Sequence, residues 1–241
     1  MTEEKTATEE QSSAPAPEVS TGDADPPPAA GAAQAAAPSP AAAPAESEAV
    51  GEQDADGNHL LEYKWTLWFD SHQKGQSQTT YGQTRRRVYT FSTVEDFWRL
   101  FNNIKAPSEF SPNTDYCLFK EGIEPEWEDP RNDKGGSWTI NPKDMGRQAS
   151  DVDELWMQAV MACVGDQFQE GEEICGLMVS VRSRGNRMQL WTRTASNEEA
   201  QMSIARQVKE YLSIPSDTQI AFQSHHDQMK GDRRTKEKYT A

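Results

Sequence analysis

Residues 1–56 contain no phenylalanine, tryptophan, tyrosine, leucine or isoleucine. A segment without large apolar side chains cannot bury enough surface to offset the entropy of ordering itself, so these residues read as a disordered tail. Alanine, proline, glutamate and serine fill it instead, and Pro26 to Pro28, Pro38, Pro40 and Pro44 interrupt any helix the alanines begin. The tail holds 12 acidic residues against one lysine, a net charge of −11 out of −15 for the 241-residue chain. Residues 57–241 therefore carry a net charge of only −4, and the acidic balance does not exclude a local anion site there.

Cysteine is scarce. Cys117, Cys163 and Cys175 are odd in number and without close pairing, which suits buried thiols in a reducing compartment better than a disulfide framework or a zinc site. No apolar run approaches membrane length, and no basic-plus-apolar leader opens the chain. A phosphate-cradling P-loop, a dinucleotide fingerprint and metal-ligand spacing are all missing, so the usual routes to a nucleotide-processing enzyme have no support. His225-His226-Asp227 is the one dense His/Asp cluster and reads as a surface turn. The expectation is an intracellular soluble protein that is not an enzyme and needs no cofactor.

All seven tryptophans lie beyond residue 57. Tyr63–Phe69 alternates like a strand with both faces partly aromatic, and Arg86–Phe91 is a second strand. Ser92-Thr93-Val94-Glu95 reads as a capping box opening a helix whose apolar positions are Val94, Phe97, Trp98, Phe101 and Ile104, with Pro107 beyond it. Tyr116–Phe119 and Ser137–Ile140 read as short strands. A second helix runs from about Asp151 to Val164, capped by Ser150 or Asp151, and a third from Asn197 to Leu212. Between them, Ile174–Arg182 and Arg187–Arg193 form a hairpin through Ser183-Arg184-Gly185-Asn186, and Thr218–Gln223 is a last strand. Strands and helices mix without regular alternation, which predicts an α+β domain: an antiparallel sheet with about three helices on one face.

Period-two counting along the hairpin assigns its faces. Leu177, Val179 and Val181, with Met188 and Leu190, belong against the helices. Arg182, Arg187 and Trp191 fall together on the other face, with Arg184 in reach from the turn. Arginines around a tryptophan suit phosphates attached to a stacked base. The ordinary alternative, solvated arginines beside a half-buried tryptophan, holds until a second motif is weighed.

That motif is Gly122-Ile123-Glu124-Pro125-Glu126-Trp127-Glu128-Asp129-Pro130. It sets a flat aromatic face beside a carboxylate in a loop bracketed by prolines. Such a pair stacks on a planar ring and accepts hydrogen bonds from the N1–H and amino group of guanine. Alkylation at N7 adds positive charge, which strengthens the stack by cation–π attraction and makes the carboxylate a charge-assisted partner. A general single-strand RNA module would want several exposed aromatics in succession instead.

Residues from about His59 to Tyr239 resemble the messenger-RNA cap-binding translation initiation factor 4E family. The resemblance is carried by Thr93-Val94-Glu95-Asp96-Phe97-Trp98, Gly122-Ile123-Glu124-Pro125, Trp127-Glu128-Asp129, Gly135-Gly136 with Trp138, and Ile174-Cys175-Gly176 with Val179-Ser180-Val181-Arg182. It implies a cap-binding domain over 57–241, with a curved sheet, helices on the convex face and the cap on the concave face. It implies that Trp127 and Tyr81 sandwich 7-methylguanine, that Glu128 reads the guanine edge, that Arg182, Arg187 and Lys134 serve the triphosphate, and that Trp191 lies near the methyl group. Ser137 stands where the common factor has a basic residue. Tyr81 is like the divergent 4E-homologous (class II) branch, whose members include translational repressors, whereas Trp65 is like the common factor; the smaller tyrosine face implies weaker cap affinity. The resemblance also places Lys230, Arg233, Arg234, Lys236 and Lys238 in a mobile basic loop at about 227–241.

A second surface follows from the same resemblance. His59, Val94, Trp98, Met157 and Gly165 match a convex groove for the Tyr-x-x-x-x-Leu-φ helix of a 4G-type scaffold or of 4E-binding proteins. The partners implied are capped mRNA and those proteins, with no membrane; the protein is expected to be a monomer, in the cytoplasm and also in the nucleus.

Overall fold

The computed structural model describes residues 52–71, 84–229 and 237–241. Among these, eight strands form one antiparallel sheet in the order β2-β1-β3-β5-β6-β4-β7-β8. The strands are β1 (Leu60–Ser71), β2 (Arg86–Thr93), β3 (Thr114–Lys120), β4 (Gly136–Ile140), β5 (Ile174–Val181), β6 (Arg187–Thr192), β7 (Ala221–Ser224) and β8 (Tyr239–Thr240). The helices are α1 (Val94–Phe101), α2 (Val152–Val164), α3 (Glu198–Tyr211) and the short α4 (His225–Met229). The expected α+β domain is present, with a curved antiparallel sheet.

The main core lies between the sheet and α1, α2 and α3. Trp65, Leu67, Leu118, Leu177, Val179 and Leu190 meet Phe97, Leu155, Trp156, Val160, Ile204 and Val208 there, all buried. The face assignment of the hairpin holds for Leu177, Val179, Met188 and Leu190, which belong to this cluster, while Val181, at the end of β5, is buried but outside it. Gln201 ties α3 to the sheet, its Oε1 accepting from Trp138 Nε1 at 3.2 Å and from Thr192 Oγ1 at 3.1 Å.

The opposite face is less open than period-two counting implies. Cys117, Phe119, Ile123, Cys175, Met178 and Trp191 form a second buried cluster there, with Trp68 and Trp127 packed on it. Every residue of β3 and β5 is consequently buried. Phe119 pairs with Gly176, and Gly176 pairs with Trp191. A Cβ on Gly176 would stand 2.4 Å from Phe119 Cγ. The glycine thus lets the Phe119 ring lie across β5 and meet Trp191 edge-on, with centroids 5.4 Å apart.

Helix starts differ from the sequence reading by a residue. Thr93, not Ser92, caps α1, its Oγ1 accepting from Asp96 N at 3.2 Å. Glu95 turns outward instead of completing a box, because it accepts from His59 N and pairs with His59 Nδ1 at 2.7 Å. Before α2, a 3-10 turn spans Ala149–Asp151, and Asp151 makes no side-chain cap to α2, its Oδ2 accepting instead from Gln148 N at 2.9 Å.

The basic C-terminal stretch is tied at both ends. Residues 225–229 form α4, and Tyr239 pairs with Phe222 across β7–β8. Lys230, Arg233, Arg234 and Lys236 lie outside the described residues, while Lys238 N donates to Phe222 O at 2.8 Å. Cys117, Cys163 and Cys175 are buried and unpaired, and burial pushes all three thiols up. No helix among the described residues is long and apolar enough to cross a membrane.

Candidate functional site

The loop between β3 and β4 is built to present one side-chain pair. Gly122, at φ +80°, turns the chain out of β3. Asp129 then closes the loop on itself, its carboxylate accepting from Glu124 N at 2.9 Å and Arg131 N at 2.8 Å. Asn132, wholly buried, donates through Nδ2 to Glu124 O at 2.8 Å and Glu126 O at 2.9 Å, clamping both sides of Pro125. The loop returns through Gly135 and Gly136, where a Cβ would stand 2.0 Å from Thr192 O and 2.4 Å from Gln223 O. Those contacts permit only glycine. The clamped segment leaves Trp127 half-buried and Glu128 exposed.

Trp127, Glu128, Arg187 and Trp191 share one cavity of about 520 Å³, with Arg85, Met178 and Gln189. A cavity of this size suits a nucleotide. Trp191 is only 3% exposed and forms the floor. Trp127 supplies an aromatic wall, and Glu128 hydrogen-bonds no other described residue.

His225 corrects the reading of a surface turn. It is fully buried, with its ring 4.2 Å from that of Trp191 and 6.4 Å from that of Trp127, the latter stacked at 23°. Its backbone N donates to Gly135 O at 3.0 Å, and its two ring nitrogens have no partner among the described residues. Burial pushes its pKa down to about 3. A neutral imidazole beside Trp127 leaves the indole face electron-rich for a cationic ring. His226, one residue on, is exposed as expected.

The remaining predicted residues sit around the cavity. Arg182 lies across the hairpin from Arg187, its Nη2 2.8 Å from Asp115 Oδ1 and its Nη1 donating to Thr114 O at 3.2 Å and Val181 O at 3.0 Å. It does not line the cavity, and Asp115 fixes its guanidinium at the edge of the same face. Lys134 is exposed and also outside the lining, its carbonyl accepting from Ala195 N at 2.9 Å. Ser137 is buried and accepts from Gln189 Nε2 at 3.2 Å, so it faces the other polar side chains of the floor. Tyr81 lies outside the described residues.

Sequence reasoning missed Arg85, His225 and Asn132. Arg85 directly precedes the expected strand and drew no reading, yet its side chain is 6% exposed and lines the cavity. For Asn132 the only local signal is a short polar residue between a proline and a glycine pair.

The second surface is laid out by two helices. His59 O accepts from Val94 N at 2.9 Å, and Trp98 follows one turn along α1 with 40% exposure. On α2 and its cap, Met157, Met161 and Gly165 recur at intervals of four and so form one stripe. Met161, 42% exposed, extends the expected set.

Comparison with known proteins agrees with this geometry. Residues 60–240 match the family described as Eukaryotic initiation factor 4E. The chain is 42% identical over 187 residues to eukaryotic translation initiation factor isoform 4E of Prunus domestica, covering 78% of this chain and 84% of that one. It is 45% identical over 182 residues to initiation factor 4E-1 of Triticum aestivum, covering 76% and 81%. Among solved structures, Ascaris suum eIF4E-3 with an m7G cap superposes with a TM-score of 0.69 at 36% identity, covering 76% of this chain and 97% of that one. Schistosome eIF4E complexed with m7GpppA and 4E-BP gives 0.67 at 33% identity, covering 76% and 99%. The chain belongs to the eukaryotic initiation factor 4E family.

Proposed function

We propose that this protein binds the 7-methylguanosine cap of messenger RNA and bridges it to a scaffold protein in translation initiation. The observation that carries the reading is the cavity in which Trp127, Glu128, Arg187 and Trp191 converge. It supplies a stacking face, an acceptor for the guanine edge, a phosphate partner and a floor centred on Trp191. By the family resemblance Tyr81 is the residue for the opposing face of the sandwich, and Arg182 and Lys134 extend the basic edge toward the triphosphate. Cap recognition is binding without bond-making, so no residue here acts as acid, base or nucleophile.

Selectivity for the methylated base follows from charge. A stack on an aromatic side chain contributes roughly 1–3 kcal/mol, and a cation over a desolvated indole adds about 2. Removing the methyl group removes the fixed charge and with it the second contribution. The groove of His59, Val94, Trp98, Met157 and Gly165 receives an amphipathic scaffold or inhibitor helix on another face, so cap and partner bind together. Capture of capped RNA on immobilised scaffold helix tests the bridge: it should require this protein and be released by free m7GTP but not by GTP. Release by both to the same extent would contradict it.

A further inference from the structure

Arg85 reaches the cavity wall between three separate segments. Its Nε stands 3.7 Å from Asp70 Oδ2, at the end of β1, and its Nη1 donates to Glu126 Oε1 at 3.2 Å. The Asp70 carboxylate is 2% exposed and also accepts from Thr84 Oγ1. Glu126 directly precedes Trp127, and its carbonyl is one of the two held by Asn132. Tyr81 precedes Arg85 by four residues. One guanidinium thus connects β1, the entry to β2 and the loop that presents the aromatic wall.

A nearly buried ion pair adds little net stability, because desolvation offsets most of its attraction. Its geometry is nonetheless directional: Nη1 makes a hydrogen bond to Glu126, while the Asp70 carboxylate holds the other side of the guanidinium by charge at 3.7 Å, beyond hydrogen-bond reach. Backbone hydrogen bonds tie the β3–β4 loop at its two ends, from Glu121 N to Lys64 O of β1 at 2.8 Å, from Ala195 N to Lys134 O at 2.9 Å and from His225 N to Gly135 O at 3.0 Å, whereas Arg85 ties its middle, at Glu126, to β1. We propose that Arg85 is a positioning residue for cap recognition: anchored by Asp70, it holds Glu126 and so sets the angle at which Trp127 and Glu128 meet the base. This rests on the cap reading above. Glu126 is 42% exposed, so the link is accessible to salt and weakens as ionic strength rises.

Two other roles for Arg85 make different predictions. A guanidinium that only stabilised the fold would, when lost, lower binding of every nucleotide alike. One that touched the phosphates would do the same, because m7GTP and GTP carry the same triphosphate. A positioning role acts most on the cation–π contact of Trp127, which m7GTP makes and GTP does not, and so costs m7GTP more than GTP. The test is calorimetric titration of the full chain with m7GTP and GTP, for the wild type, Arg85→Met, Glu126→Gln and the double variant. Each single change should lower m7GTP affinity by about fivefold to tenfold, the range of one partly exposed charged hydrogen bond. GTP affinity should stay within about twofold, and the double variant should be no weaker than the weaker single, as coupled partners require. Arg85→Met removes a nearly buried cation from beside Asp70 and is the variant at risk of misfolding; Glu126→Gln, half exposed, carries the test without it. Equal losses for m7GTP and GTP in Glu126→Gln, or additive losses in the double variant, overturn the proposal. A wild type without preference for m7GTP overturns the cap reading and this one together, whereas a selective wild type with unchanged ratios overturns this one alone.

Discussion

The ring of His225 lies 4.2 Å from that of Trp191, beneath the floor of the cavity proposed for the cap and out of contact with water. Its neutral form is favoured there, with a pKa of about 3 against an ordinary value near 6.5. Above pH 6.5 the imidazole is neutral in both folded and unfolded chains and has no effect on stability. Below it the unfolded chain takes up a proton that the folded chain refuses, so stability is lost between about pH 6.5 and pH 3. The loss cannot exceed about 1.4 kcal/mol per pH unit from this group. Urea unfolding of wild type and His225→Phe across this range should show a shallower decline in the variant. Parallel curves would place the titrating groups elsewhere.

Gly176 has a packing role that a methyl group would expose. Gly176→Ala pushes its Cβ into the Phe119 ring, and the ring has Trp191 on its far side. Overpacking of this kind costs about 1–3 kcal/mol. The expected outcome is a lower urea midpoint together with weaker m7GTP binding, because the floor of the cavity shifts. Unchanged affinity in a destabilised variant would separate the floor from the site.

Arg182 and Arg187 should differ in detail but agree in sign. Arg187 lines the cavity, while Arg182 is pinned by Asp115 beside it. Each change to alanine should weaken m7GTP binding and reduce its salt slope by about one. A salt slope unchanged in Arg182→Ala would show that its guanidinium serves Asp115 alone.

The partner surface is separable from the cap site. Trp98 is 40% exposed and touches Phe97 at a ring distance of 4.8 Å, so Trp98→Ala should cost the fold only about 1 kcal/mol. Binding of a Tyr-x-x-x-x-Leu-φ peptide should fall more than about tenfold, as for a central aromatic anchor, with m7GTP affinity unchanged. Loss of both would signal a misfolded chain.

Periodicity made the hairpin legible. Residues two apart share a face, and the assignment of Leu177, Val179, Met188 and Leu190 to the helical side follows from that alone. The same counting could not say what lies on the other face, so the Phe119–Gly176–Trp191 row and the burial of Trp191 were not visible in it. Trp127 and Glu128 were legible because adjacent residues in a proline-bracketed loop carry their chemistry locally. Arg85 was not, because its partners Asp70 and Glu126 are 15 and 41 positions away in the chain. The cap of α1 was misplaced by one residue for the same reason: Glu95 is claimed by His59, 36 positions away. His225 looked like a surface residue because neighbouring His226 and Asp227 are polar, and only the fold turns its ring inward.

The central claim is that one cavity reads a methylated guanine through Trp127 and Glu128. Titration of wild type, Trp127→Ala and Glu128→Gln with m7GTP and with GTP tests it most directly. The account predicts a wild-type preference for m7GTP of more than about tenfold, the scale of one cation–π contact. It predicts that Trp127→Ala removes this preference and that Glu128→Gln weakens m7GTP binding at least as much. A folded Trp127→Ala variant that still prefers m7GTP to the wild-type degree would contradict it.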